Sequence, residues 1–459
     1  MHLAATMEVV RLLHSSVRDP RLPRMKTRPY VFFALLLTTT ALAQPARQTQ
    51  TSNTTENLRG ISAVSRQIAW ASGTHGTYLR TTDAGRTWLP AQVPDAANLD
   101  FRGVVAFSAD EAFLMSAGPG DQSRIYHTID AGQHWNLQFT STNPKAFFDS
   151  IAFWDPTHGV VLGDPIPDDS GQLKFQLLIT TDGQSWTPIP PSQLPPALEG
   201  EGAFAASNTC LAILRNYSVI LSADMHSAER SAYWSRRIPV MSPSAAASRG
   251  ILTTVAMTTP QGSPPSPQSG ASAPPKPAEK TADSAPSQPD PNIWFATGGK
   301  AARVFHSPDH GNTWQVFNTP LTHGPNSAGI FSIAFRDPNH GVIAGGDYKR
   351  PDQDGPNLAF TSDGGKTWTV SKIFPQSYYS AVAYDRKSLT PAAKDKDEDQ
   401  AHVRLFIAAP KFIFDFRPPK DPTRISPPRN SAIEFNALSP FPAGGAIFVG
   451  PKGSIATLP

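Results

Sequence analysis

One cysteine, Cys210, stands in 459 residues. No disulfide can close within the chain, and a cysteine-built zinc centre is excluded. Charge is scarce too, at 17% against roughly 25% in ordinary domains. What charge there is nearly cancels, with Lys+Arg 40 against Asp+Glu 37 and a net of +3. That balance gives no general electrostatic grip on nucleic acid. The apolar run YVFFALLL at 30–37 falls well short of the about 20 residues a bilayer span needs. There is no Gly-x-Ser-x-Gly elbow and no phosphate-cradling glycine loop. Hydrophobic residues, at 39%, are too many for a disordered chain and too few for a multi-span membrane protein. Proline is the one excess, 46 residues, about double the usual ~5% share.

The apolar run follows Lys26 and Arg28 and precedes TTTALA. A basic start, a short apolar centre and small residues at the end describe an export signal cleaved after Ala43. Signals run about 15–30 residues, so Met25 is the expected start of translation. No cysteine follows the cleavage point, which argues against a lipid anchor there. The mature chain is expected to lack a transmembrane segment and to reside outside the cytoplasm, periplasmic or secreted.

Repeats carry the fold. The pattern Ser/Thr-x-Asp-x-Gly-x-x-Trp recurs as TTDAGRTW (81–88), TIDAGQHW (128–135), SPDHGNTW (307–314) and TSDGGKTW (361–368), with a copy one residue shorter, TTDGQSW (180–186). A tight hairpin turn explains it. The carboxylates of Asp83, Asp130, Asp182, Asp309 and Asp363 can accept backbone N–H bonds across the turn. Gly85, Gly132, Gly311 and Gly365 permit positive φ. Trp88, Trp135, Trp186, Trp314 and Trp368 start the next strand and pack on a neighbouring unit.

A second repeat marks the first strand of each unit: LRGISAV (58), FRGVVAF (101), FDSIAFW (148), GAFAAS (202), IFSIAFR (330), SAVAYD (380) and AIEFNAL (432). One spacing is too long. It contains ten prolines in 260–291 and no aromatic residue in 242–291, a composition unable to bury enough surface to order itself. Removing an insertion at 215–291 leaves one ordinary unit. KDKDED at 394–399 reads as a smaller solvated loop. Seven units of four short strands predict an all-β, seven-bladed β-propeller over 44–459, with six blades as the alternative. GAIFVG and GSIATLP then supply strands of the last blade, and the stretch after Ala43 supplies its outer strand, closing the ring and removing sheet edges.

The five turn motifs resemble the Asp-box, or BNR repeat, of sialidase-like β-propellers. With openings such as SIAFRDPNHGVIAGG, the chain resembles the photosystem II stability/assembly factor-like group over most of 58–459. That resemblance implies an extracytoplasmic assembly or binding protein, not an enzyme. It also implies that the motif turns lie away from the ligand face. Sialidases are similar in carrying an early Arg-Ile-Pro. Here Arg237-Ile238-Pro239 comes after three motif turns, and is read as coincidence.

By analogy with other propellers, ligands meet the end carrying the blade openings and the second-to-third-strand connections. Openings contribute Arg102, Asp149, Glu199, Glu201, Ser327, Tyr378 and Tyr379. Second-strand ends contribute Asp164, Lys300, Asp347, Tyr348 and Arg350, with Asp164 and Asp347 in equivalent places of two blades. Two readings stand. In the first, the face binds a protein partner or a glycan without catalysis, through Arg102, Tyr348, Tyr378 and Tyr379, since Tyr and Arg dominate binding hot spots. In the alternative, Glu199, Glu201, Asp164 and Asp347 provide acid and base for a glycoside, or hold a hard cation. Against both stands a plain structural role, carboxylates closing their own turns. No cofactor, no resident metal and no nucleic-acid partner are expected, and a monomer is. His158 and His340 sit in matching Pro-x-His-Gly turns, and Cys210 lies in the apolar run TCLAIL as a small buried residue.

Overall fold

The computed structural model describes residues 47–214, 290–372, 377–389, 403–410, 412–416, 423–425 and 434–459. The export-signal segment 1–43, all but the last two residues of the 215–291 insertion (with Arg237-Ile238-Pro239), and KDKDED lie outside the described residues.

Short apolar runs between Gly/Asp/Ser turns form strands of two to nine residues, with, among the described residues, only single 3-10 turns besides. They assemble into seven antiparallel sheets, a seven-bladed β-propeller. The inner strands are Leu58–Ala63, Asp100–Ala106, Phe148–Phe153, Leu211–Ile213, Ala328–Phe335, Ala381–Tyr384 and Ala437–Pro440, blades 1 to 7 in order. Blade 7 takes three strands from the C-terminus and its outer strand, Gln48–Gln50, from the start of the described chain. In blade 4, Leu211 pairs directly with Phe295, so the 215–291 insertion joins the first two strands of a single blade. GAFAAS, expected as that blade's inner strand, is not. Only Glu201–Gly202 pair, with Gly298–Gly299, and the inner strand begins nine residues after the start of GAFAAS.

Blades pack on one another through aromatic layers. Phe175 of blade 3 meets Phe295 of blade 4 at 5.1 Å, and Trp294 of blade 4 lies flat on Phe335 of blade 5 at 3.9 Å. Near the axis the inner strands leave backbone amides unpaired, and buried amides demand a partner. Serine hydroxyls supply it across blade boundaries. Ser62 accepts from Ala106 N at 3.0 Å, Ser439 from Ala63 N at 3.1 Å, and Ser332 from Val382 N at 2.9 Å. The axial cavity, about 200 Å³, is lined mainly by Ile61, Val104, Ile151, Ile333, Val382 and similar apolar side chains.

The recurring motif forms one kind of turn. Asp83 Oδ1 accepts Thr87 N at 2.9 Å and Oδ2 accepts Thr87 Oγ1 at 2.6 Å, while Gly85 N donates to Thr81 Oγ1 at 2.9 Å. Hydrogen bonds from the Thr87 side chain and backbone pull the Asp83 carboxyl down to about 2. The residue before the glycine is left-handed as well, with φ of 64° at Ala84, 66° at Ala131 and 56° at His310. These turns also carry the ring closure. Gln50, on the closing strand, donates to Ala84 O at 3.0 Å and accepts Trp88 Nε1 at 2.9 Å. Gln50→Ala is expected to cost about 1–2 kcal/mol, two net hydrogen bonds. Unchanged denaturant unfolding would show that the closing strand is held by its ladder alone.

Strand alternation sorts the connections. Blade openings and second-to-third-strand connections share one end of the propeller. First-to-second-strand connections and the motif turns share the other. Both long insertions, in blades 4 and 6, therefore leave from the end opposite the blade openings.

Candidate functional site

Four inner strands slip by one residue against their neighbours, between Leu58 and Gly60, Phe101 and Gly103, Phe148 and Ser150, and Ile330 and Ser332. Each slip is a β-bulge, which leaves one residue outside the ladder and re-aims its side chain. The extra residues are Arg59, Arg102, Asp149 and Phe331. Glycine or serine follows because the inner strands come close. A Cβ at Gly60 would sit 2.6 Å from Ser72 Oγ and 3.0 Å from Arg102 O, and one at Gly103 would sit 2.7 Å from Ile151 Cγ2.

Arg59 and Arg102 are half-buried at the blade-opening mouth, whereas Asp149 and Phe331 are buried beneath it. On blades 1 to 3 the mouth is charged. Asp100 stands between two guanidiniums, 2.8 Å from Arg102 Nε and 3.7 Å from Arg59 Nε. Burial lowers the Arg59 pKa, opposed by Asp100 and helped by Arg102. Arg102 also donates to Ala205 O at 3.2 Å and lies 5.9 Å from the Phe147 ring centre. The opening of blade 4 therefore reaches across to blade 2. Asn208 repeats the bridge, accepting Ile151 N at 2.8 Å and donating to Ile151 O at 3.1 Å. On blades 4 to 6 the surface is aromatic. Phe204 stacks on Phe331 at 3.9 Å, Tyr378 meets Phe331 edge-on at 4.9 Å, and Tyr348 stands beyond at 6.1 Å with 49% of its surface exposed.

Two carboxylates lie between the halves. Asp149 is 1% exposed. Burial drives its pKa well up and neighbouring Asp164 drives it further, against Arg102. Asp164 is partly exposed and accepts Ala203 N at 2.9 Å. Burial raises it to about 6, with the Ala203 amide pulling the other way.

The other expected site residues are distributed differently. Glu201 is buried against Arg303, which donates from Nε at 2.9 Å and from Nη2, while Thr297 Oγ1 donates at 2.6 Å and Leu198 N at 2.8 Å. Both oxygens of its carboxylate are taken by these internal donors. Asp347 closes its own turn, accepting Lys349 N at 3.0 Å and Arg350 Nε at 2.8 Å. Burial works against its ionised form, yet hydrogen bonds from Ser327 and Arg350 keep its pKa below the ordinary value. Asp164 and Asp347 are not equivalent. Gly163 and Gly345 occupy the matching ladder positions, so Asp164 corresponds to Gly346 and Asp347 lies one residue further. Tyr379 is fully buried in the core of blades 5 and 6, and Tyr378 is buried behind Phe331. Glu199 and Lys300 are exposed in their loops. Arg59, Asp100, Phe147, Phe204 and Phe331 were not among the expected residues. The signal for all four bulges was in the openings, as a large apolar residue, one free position and then Gly or Ser.

His158 and His340 are turn residues, their amides capped by Asp155 at 3.0 Å and Asp337 at 2.8 Å. Cys210 is buried and burial raises its thiol pKa. Among the described residues, no three His, Cys, Asp or Glu are grouped to hold a metal ion, and no helix is long and apolar enough to cross a membrane. An open groove of about 760 Å³ lies between Thr49–Thr55 and Lys452–Ile455. It is lined by none of the carboxylates, arginines or aromatic residues of the mouth.

No protein-family model matches the chain. A stretch of 101 residues is 33% identical to the photosystem II assembly protein Ycf48 of Thermosynechococcus vestitus, covering 21% of this chain. The chain thus matches about a quarter, 25%, of the length of that relative. A solved structure described as YCF48 bound to D1 peptide covers 92% of this chain and 99% of its own, with a TM-score of 0.51 and 14% identity. YCF48 from Cyanidioschyzon merolae covers 90% and 98%, with a TM-score of 0.47 and 15% identity. The first of these structures shares the propeller fold.

Proposed function

We propose that this chain is a non-enzymatic binding or assembly factor that holds a segment of a protein partner at the blade-opening mouth. The observation that carries the reading is the mouth itself, with half-buried Arg59 and Arg102 on one side, half-buried Phe204 and exposed Tyr348 on the other, and Asp164 between them. Such a surface offers ion pairs to polar side chains and flat apolar area to large ones, the residue types that dominate protein hot spots. The short match to an assembly protein, and a fold neighbour solved with a peptide, support it. The export-signal pattern at 30–43 supports a partner met outside the cytoplasm. A glycoside-processing role would have to rest on Asp164, with Asp149 behind it and Glu199 in its loop, because Glu201 and Asp347 are held elsewhere.

The test is affinity capture from native envelope extract with the chain and an Arg59→Ala/Arg102→Ala/Tyr348→Ala variant, each checked for unchanged unfolding. Hot-spot truncations of this kind cost about 2–4 kcal/mol, so the partner should be lost from the variant at matched concentration. A partner held equally by both forms would move the binding surface away from this mouth.

A further inference from the structure

The carboxylate pair has no assigned purpose in the mouth described so far. Asp149 Oδ2 is buried and lacks a hydrogen-bond partner among the described residues. An unpartnered buried carboxylate oxygen is expensive, so the site is built for something that can donate to it. Three titratable groups face it. Asp164 approaches from the second strand of the same blade, Arg102 from the inner strand of blade 2, and the Cys210 thiol from the opening of blade 4. Arg102 leaves Asp149 unpaired, its Nε being turned to Asp100 and its Nη1 to Ala205 O. Asp164 stands in front, partly open to solvent, with Oδ1 tied to the Ala203 amide. Gly202 walls that oxygen closely, since a Cβ there would lie 2.9 Å from Oδ1.

We propose that Asp149 and Asp164 form a receptor for one ammonium group, the side chain of a lysine in the partner segment. This rests on the reading of the mouth as a peptide-holding surface. An ammonium is a compact charge with three donors on a thin apolar stem. It can seat on the half-exposed Asp164 carboxylate with the buried Asp149 behind it, whereas a planar guanidinium fork needs a wider, flatter partner. The Phe147 ring beside Arg102 and the Phe204 ring beyond Ala203 offer apolar surface for the stem. Burial keeps these carboxyls protonated to higher pH than usual, so entry of the cation expels a proton, and affinity rises with pH through the neighbourhood of 6.

The probe is Nα-acetyl-lysine N-methylamide, with the norleucine and arginine counterparts as controls. Each is titrated calorimetrically into the full chain near pH 7.5 and near pH 5. The lysine probe should bind about tenfold tighter than either control, weaken about tenfold near pH 5, and release protons on binding, seen as a buffer-dependent heat. Asp164→Asn, which keeps the acceptor for Ala203, should lose the same factor without loss of fold. Equal affinity for lysine and norleucine, no saturable lysine binding, an unaffected Asp164→Asn variant, or tighter binding of the arginine probe would each overturn the assignment. Partner capture that still depends on Arg59, Arg102 and Tyr348 would then leave the wider reading standing. Capture independent of them would remove the wider reading by itself.

Discussion

Glu201→Ala is expected to destabilise the chain by roughly 3–5 kcal/mol, the usual cost of breaking one side of a buried ion pair. Its side chain is fully buried and Arg303 nearly so. Four donors converge on its two oxygens, from Thr297, Leu198 and twice from Arg303. Arg303 also donates to Pro196 O at 3.0 Å. Alanine would leave a buried guanidinium with only the Pro196 carbonyl and the Phe305 ring face, and would take away the acceptor of the Leu198 amide. Glu201→Gln should cost less, since it keeps the shape and an acceptor. Removing the pair together, as Glu201→Leu/Arg303→Met, should recover much of the loss, because the desolvation of both charges disappears with them. Urea unfolding of the three variants decides it. A double variant as unstable as Glu201→Ala would mean that packing, not charge, holds this corner. The mouth should suffer in parallel, because Ala203, whose amide holds Asp164, lies two residues beyond Glu201.

The propeller was legible because its repeating chemistry is local. A turn that needs an aspartate, a glycine and a tryptophan at fixed spacing writes itself into eight consecutive residues, and five copies with regular openings fix the blade number. The ring closure by the strand at Gln48–Gln50 followed from the same count. The mouth was legible only in part, because its logic is non-local. Glu201 reads as an exposed loop carboxylate until Arg303, 102 residues away, is placed on it. Asp164 and Asp347 look equivalent only because each follows a glycine near a strand end; the ungapped comparison already sets Asp164 against Gly346, and the ladder confirms the one-residue offset, which in a strand exchanges the two faces. GAFAAS has the apolar character of an inner strand, yet its backbone pairs only at the preceding Glu201–Gly202 step and Phe204 is spent on Phe331. The bulges are the instructive omission. The spacing Leu-Arg-Gly, Phe-Arg-Gly, Phe-Asp-Ser was visible, but that the middle residue leaves the ladder is a property of two strands, not one.

Stability of the chain is expected to fall by about 2–3 kcal/mol between pH 4 and pH 6 through Asp164 alone. The sign follows from its raised pKa. Below about 4 the carboxyl is protonated in both folded and unfolded chains and contributes nothing. From there to about 6 the unfolded chain has released its proton and the folded chain has not, so rising pH favours unfolding. The shift from 3.8 to about 6, at 1.36 kcal/mol per unit, sets an upper value near 3 kcal/mol, trimmed by partial exposure. Asp149 adds in the same direction. The motif-turn aspartates act oppositely. Asp83, drawn down to about 2, contributes stability above the ordinary carboxylate range that is lost as pH falls through its own pKa. Their background cancels in a comparison of the native chain with Asp164→Asn. The variant should match the native chain near pH 3.5 and exceed it by about 2–3 kcal/mol near pH 7. A flat difference curve, or one sloping the other way, would mean that Asp164 is solvated in the folded chain. The lysine probe supplies the converse. Bound near pH 7, it should restore part of the lost stability to the native chain and none to Asp164→Asn, because only a folded, ionised carboxylate pair gains from the cation.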